Sequence, residues 1–183
     1  MRKTLFILIA IMMIPFFGRA QSYDALWKQA REAAKKDQLR TQISVLDQIV
    51  AKATKEKAYG QLLAATLRRA NVEYEVAPDS LPSRLKELEE AETLTSDLAL
   101  QAVYDVVLSK VYAAHPNLDG SETKGKNYKE KALAHPDLLA RTDASGYTPF
   151  VERGVDSQIF GNDLLHVVGL ETDNRQLIHD WYK

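Results

Sequence analysis

Eight residues, Gly120-Ser121-Glu122-Thr123-Lys124-Gly125-Lys126-Asn127, come within one position of spelling a phosphate-binding loop. Two glycines and a lysine stand at the spacing by which backbone amides cradle phosphates and an ammonium reaches the outermost one. The last position should carry a hydroxyl for magnesium, and it is Asn127. Such a loop also has to leave a buried strand, whereas this stretch follows a His-Pro turn. A polar loop is therefore its expected use.

The other reactive residue types are scattered. The four histidines are His115, His135, His166 and His179. Two precede prolines, and the other two lie on separate helical segments without a second ligand at metal-binding spacing. Glu87, Glu89, Glu90 and Glu92 are clustered carboxylates, but acid–base pairs need an enclosed site that drives their pKa values apart. Beside Leu81, Leu85 and Leu88 they read as the solvated face of a helix. Lys28, Arg31, Lys35, Lys36 and Arg40 read as a basic face in the same way. Ser145-Gly146 lacks the flanking glycine pattern of a nucleophile elbow. Trp27, Trp181 and the tyrosines fall at helical spacing and suit packing. The expectation is no catalytic, cofactor-binding or metal-binding residue, and no cofactor.

The chain that holds these residues is organised around positions 96–114. Leu98, Leu100, Val103, Val106, Val107, Leu108 and Val111 make this stretch apolar nearly all round, as in a helix buried on several sides. Ser96 serves as N-cap, with Asp97 in the first turn. Asp105 and Lys110 argue against a membrane span.

Residues 22–36 read as a first helix capped by Ser22. Asp37 opens a second, with Leu39, Ile43, Leu46, Ile49, Val50 and Ala53 at spacings of three and four. Tyr59 to Tyr74 carries a third, stopped by Pro78-Asp79-Ser80. Ser80 caps a fourth, with Pro82 in its first turn. Short links make these helices antiparallel neighbours. Leu26 and Leu63 are offset by about one tetratricopeptide unit. The fold class is thus all-α, with TPR-like antiparallel hairpins over 21–114 around the central helix. A loop is expected at 115–126, and a second helical portion at 127–183 that continues beyond Lys183. Within it, helices are expected at 127–134, at 161–170 capped by Asn162, and from Asn174 onward, with an ordered loop at 142–155.

Residues 1–20 have the layout of a cleaved signal peptide: Arg2 and Lys3, an apolar run, then Gly18-Arg19-Ala20, with cleavage expected before Gln21. This places the protein in the periplasm or cell envelope, with no stable membrane span after cleavage. Of 24 basic residues three lie in that segment (Arg2, Lys3 and Arg19), so against 25 acidic residues the mature part has a formal charge of −4. That balance gives no reason to expect nucleic acid. The absence of cysteine excludes disulfides, thiolate metal sites and a cysteine nucleophile.

Two stretches carry a resemblance. One runs Ser22-Tyr23-Asp24-Ala25-Leu26-Trp27, through Val45-Leu46-Asp47-Gln48-Ile49, to Ala58-Tyr59-Gly60-Gln61-Leu62-Leu63. The other runs His135-Pro136-Asp137-Leu138-Leu139, Tyr147-Thr148-Pro149-Phe150 and Asp156-Ser157-Gln158-Ile159-Phe160-Gly161-Asn162. In this order they resemble the N-terminal helical region of secreted bacterial alpha-2-macroglobulin family proteins. The resemblance implies a non-enzymatic scaffold or interaction region of a protease-trapping, endopeptidase-inhibitor type of protein. It also implies a protein partner, either the protein's own downstream domains or another envelope protein. No thioester cysteine and no sandwich domain occurs in these 183 residues. A free-standing periplasmic TPR-like adaptor for a peptide or protein is the alternative.

Overall fold

The computed structural model describes residues 21–150 and 162–181. The expected signal peptide, residues 151–155 of the expected ordered loop, the second stretch's Asp156–Gly161 portion and the final Tyr182 and Lys183 lie outside them. The described residues are helical, without a strand. They form α1 (Tyr23–Lys35), α2 (Leu39–Glu56), α3 (Tyr59–Val76), α4 (Leu81–Leu94), α5 (Leu98–Ala114), α6 (Ser121–Lys131), the single turn α7 (Pro136–Leu139), α8 (Leu164–Glu171) and α9 (Arg175–Trp181). Short 3₁₀ turns sit at Pro78–Ser80 and Ala144–Tyr147. None of the described helices is long and apolar enough to cross a membrane.

The early links are closed by backbone geometry. At Asp37, Lys57 and Asp173 the chain turns left-handed. In each case the next amide reaches back over the helix end: Gln38 to Ala33, Ala58 to Ala53 and Asn174 to Gly169, at 3.0, 3.0 and 2.8 Å. These are Schellman closures, which satisfy otherwise unpaired carbonyls. Asp37 thus ends α1 rather than capping α2, whose N-cap position is held by Gln38 without a side-chain cap.

Other expected caps shift by one residue. Asp97, not Ser96, caps α5, since its carboxylate accepts from the Ala99 and Leu100 amides at 3.0 and 3.1 Å. Asp163, not Asn162, caps α8 by accepting from the His166 amide. Ser80 precedes α4, but its hydroxyl makes no cap hydrogen bond. Ser22 and Asn174 do cap, accepting from Ala25 and Leu177.

The clearest departure lies at 115–126. Only His115 to Gly120 is loop, and α6 starts at Ser121 after a left-handed Gly120. Its composition is too polar to show an apolar stripe. The helix is held by tertiary contacts instead. Ser121 donates to the Tyr112 carbonyl at 2.6 Å, and Tyr128 stacks on Tyr112 with centroids 6.0 Å apart.

Two hydrophobic cores lie in succession. Leu26, Ala30, Val45, Leu46, Ile49, Ala65 and Val72 join α1, α2 and α3. The larger core surrounds α5: Leu63 of α3, Leu85 and Leu88 of α4, Ala132 beside α6, and Leu164, Leu165 and Val168 of α8. Helix α3 therefore serves both cores. The expected central helix is indeed central, with Val107 buried and Leu108 fully enclosed. After the 3₁₀ turn at Ala144–Tyr147, which packs on α3, an antiparallel bridge pairs Asp143 with Asp163 and leads α8 back onto α5. Helix α9 folds back onto α8 through Ile178, leaving Trp181 part-exposed.

Candidate functional site: an acidic cleft beside α5

The stretch that resembled a phosphate loop forms the left-handed Gly120 cap and first turns of α6, with the Lys124 amide donating to the Gly120 carbonyl at 2.9 Å. Lys126 pairs with Glu122 at 2.7 Å, one helical turn away. Lys124 turns inward, donating to Glu89 at 3.1 Å and to the Tyr112 hydroxyl at 3.0 Å.

The histidines stay apart. His115 meets the Tyr74 ring edge-on, His166 is buried in α8, and His179 lies 3.2 Å from Asp180. No group of three or more His, Asp or Glu among the described residues is arranged to hold a metal ion. The basic residues Lys28, Arg31, Lys35, Lys36 and Arg40 are all exposed, and Trp27 donates from its indole to Gln61 of α3 at 2.6 Å.

The carboxylate cluster on α4 divides, which corrects the reading of a uniformly solvated face. Glu90 is exposed and Glu87 pairs with Arg84 at 2.6 Å. Glu89 instead accepts from the Tyr112 and Tyr128 hydroxyls at 2.7 and 3.3 Å, as well as from Lys124. Burial works against its charge, but the hydrogen bonds from Tyr112 and Lys124 outweigh it and hold its carboxyl below the usual range. The same contacts join α4, α5 and α6, and burial with Glu89 alongside pushes the Tyr112 and Tyr128 hydroxyls up.

Glu92 is the fourth member, only 4 % exposed. It continues the buried stripe of Leu85 and Leu88 at a spacing of four. Across from it on α5 is Asp105, 3 % exposed. The two line a cleft of about 180 Å³ with Leu98, Gln101, Ala102, Lys131, Ala134 and His135. Lys131 of α6 reaches over the mouth, 3.7 Å from Glu92 and above the Tyr128 ring. Asp105 Oδ1 is buried without a hydrogen-bond partner. Burial first, and then the Glu92 charge, push the Asp105 carboxyl up to about 7, with Lys131 opposing them.

In sequence, Asp105 argues only against a membrane span and Glu92 reads as part of a solvated face. Both signals were present: a charged residue inside an otherwise apolar helix, and a glutamate in register with two buried leucines. What the spacing could not give was that the two stripes face each other. A second concavity, about 310 Å³, is apolar and lined by Leu67, Val103, Val107, Val111 and Val167, with the Lys110–Glu171 ion pair at its edge.

Compared with family models, curated proteins and solved structures, the chain matches none of them.

Proposed function

We propose that this chain is a non-enzymatic helical scaffold and protein-interaction region of an exported protein, with TPR-like pairing of its helices. One observation carries the reading. Helix α3 buries Ala65 and Val72 in the first core and Leu63 in the second, so successive helices hold one another in chain order. Stacks of this kind leave long lateral surfaces available to a partner. Leu94, 84 % exposed at the end of α4, and Val76, 54 % exposed at the end of α3, are the apolar residues offered to such a partner.

The resemblance to the leading helical region of alpha-2-macroglobulin family proteins supports assigning the scaffold to an envelope protein of protease-trapping type. In that setting the chain carries and positions other domains and itself does no chemistry. The free-standing adaptor is the second reading, favoured by the same exposed Leu94 and Val76.

The experiment is in two parts. Photo-crosslinkers placed at Val76 and Leu94 in the exported protein should give one saturable adduct that a crosslinker at Lys35 does not give. Equal labelling from all three positions would refute the interaction reading. The mature protein should begin at Gln21, and the reading frame past the Lys183 codon separates the two forms of the proposal. Sandwich domains there support the macroglobulin-like protein, and an immediate stop supports the adaptor.

A further inference from the structure

The cleft between α4, α5 and α6 has the chemistry of a receptor for a cation. Asp105 and Glu92, 3 % and 4 % exposed, bring two carboxylates onto one small space. Asp105 Oδ1 accepts no hydrogen bond, and a buried acceptor left in that condition is destabilising unless something occupies it. Lys131, exposed along most of its length, reaches Glu92 but not Asp105 in ion-pair range. A cleft of about 180 Å³ is too small for a drug-sized ligand, whose pockets start at roughly 300 Å³. It is large enough for the head of one side chain. Its walls beside the carboxylates are aliphatic: Leu98, itself part-exposed, with Ala102 and Ala134. Apolar walls leading to buried carboxylates match a cation carried on a methylene stem, as in lysine and arginine.

We propose that this cleft binds an alkyl-linked organic cation, an ammonium or guanidinium on an aliphatic stem, with Asp105 as its counter-ion and Lys131 as the group it displaces from Glu92. The inference stands apart from the proposed scaffold role, because it concerns a ligand chemistry and holds whether the stem belongs to a partner polypeptide or to a free amine. A planar guanidinium can satisfy both carboxylates at once, which an ammonium does less well. The charged and titratable groups facing Asp105 are Glu92 from α4, Lys131 from α6 and His135 before α7. Since the carboxyl of Asp105 must be ionised to serve as counter-ion, binding is linked to release of a proton.

The test is calorimetric titration of the mature protein with n-butylguanidinium, with n-butanol as uncharged control. Saturable millimolar binding of the cation and none of the alcohol is expected. Asp105→Asn, nearly isosteric, should weaken it by about tenfold or more through loss of a charge-assisted pair. Lys131→Gln, a surface change, should tighten it several-fold because the internal competitor is gone. Affinity should be higher at about pH 8 than at about pH 5.5, with proton release visible as a dependence on buffer ionisation heat. A short acetylated Leu-Arg-Leu amide distinguishes the sources. Tighter binding than butylguanidinium assigns the cation to a polypeptide, and equal or weaker binding assigns it to a free amine. No saturable binding, undiminished binding by Asp105→Asn, or weaker binding by Lys131→Gln would each overturn the proposal. Tighter binding by Lys131→Gln separates a site from a merely structural ion pair, whose loss could not raise affinity.

Discussion

Gly60 lies against the backbone of Tyr147. A Cβ on Gly60 would fall 2.2 Å from both the carbonyl carbon and the oxygen of Tyr147, and 2.3 Å from the Thr148 oxygen. No side chain can rotate out of that clash, since the obstructing atoms are backbone. The contact is where α3 meets the 3₁₀ turn that leads toward α8, so it joins two parts of the chain nearly ninety residues apart. Gly60→Ala should therefore lower stability by about 3 kcal/mol, at the upper end of overpacking costs. Gly125 in α6 is the control. A Cβ there would make ordinary contacts, 3.5 Å to Tyr112 Cβ and 3.6 Å to the Ser109 oxygen. Gly125→Ala should raise stability by about 0.5–1 kcal/mol through helix propensity. Urea midpoints of the two variants check both signs.

Val107→Asp should cost about 3 kcal/mol or more, because Val107 is buried in α5 and the new carboxylate would be taken out of water. Glu90→Ala should change stability by less than about 0.5 kcal/mol, since Glu90 is exposed and its ion-pair partner among the described residues, Lys86, is 3.8 Å away. Similar thermal shifts for both would mean that the faces of α4 and α5 are misassigned.

The neighbour of Glu90 should behave differently. Glu89→Ala strips the Tyr112 and Tyr128 hydroxyls and Lys124 of their shared acceptor, and should cost about 1–3 kcal/mol. Far-ultraviolet circular dichroism should show loss of helix, since α6 depends on these contacts. Glu89→Gln, which keeps an acceptor but loses the charge, should fall between parent and Glu89→Ala.

Asp105 makes stability depend on pH with a defined sign. Its folded carboxyl titrates near 7, above the ordinary aspartate value of 3.8. Between those values the folded state binds the extra proton, so stability from this residue falls as pH rises and levels off above about 7–8. Asp105→Asn should abolish that component. The variant should gain on the parent in melting temperature from pH about 5 to pH about 8. A constant difference across that range would show that Asp105 does not titrate there.

Lys57 closes α2 with a left-handed backbone, φ 54°. A lysine there carries a steric strain that glycine lacks, so Lys57→Gly should stabilise by about 1 kcal/mol. At Asp37, φ 53°, the gain should be smaller, because a short polar side chain tolerates this region. Denaturant midpoints of the two variants give the comparison.

Composition and periodicity by themselves determined that the chain is helical, that residues near 96–114 form its most buried helix, and that helices change at Asp37, before Tyr59 and after Pro78. These are local properties: a three-to-four spacing of apolar residues, prolines, and short polar residues at helix ends. Tertiary structure alone decided that α6 is a helix from Ser121. Its residues form no apolar stripe, and it is anchored by Ser121 to the Tyr112 carbonyl and by Tyr128 to the Tyr112 ring. Packing also decided that Glu89 and Glu92 turn inward while Glu87 and Glu90 do not, because the face a helix buries is chosen by the neighbours that cover it. The approach of Glu92 to Asp105, on different helices, is of the same kind. Each residue carried a signal in its own helix, but the cleft exists only because α4 and α5 pack with those faces together and α6 lays Lys131 across the opening.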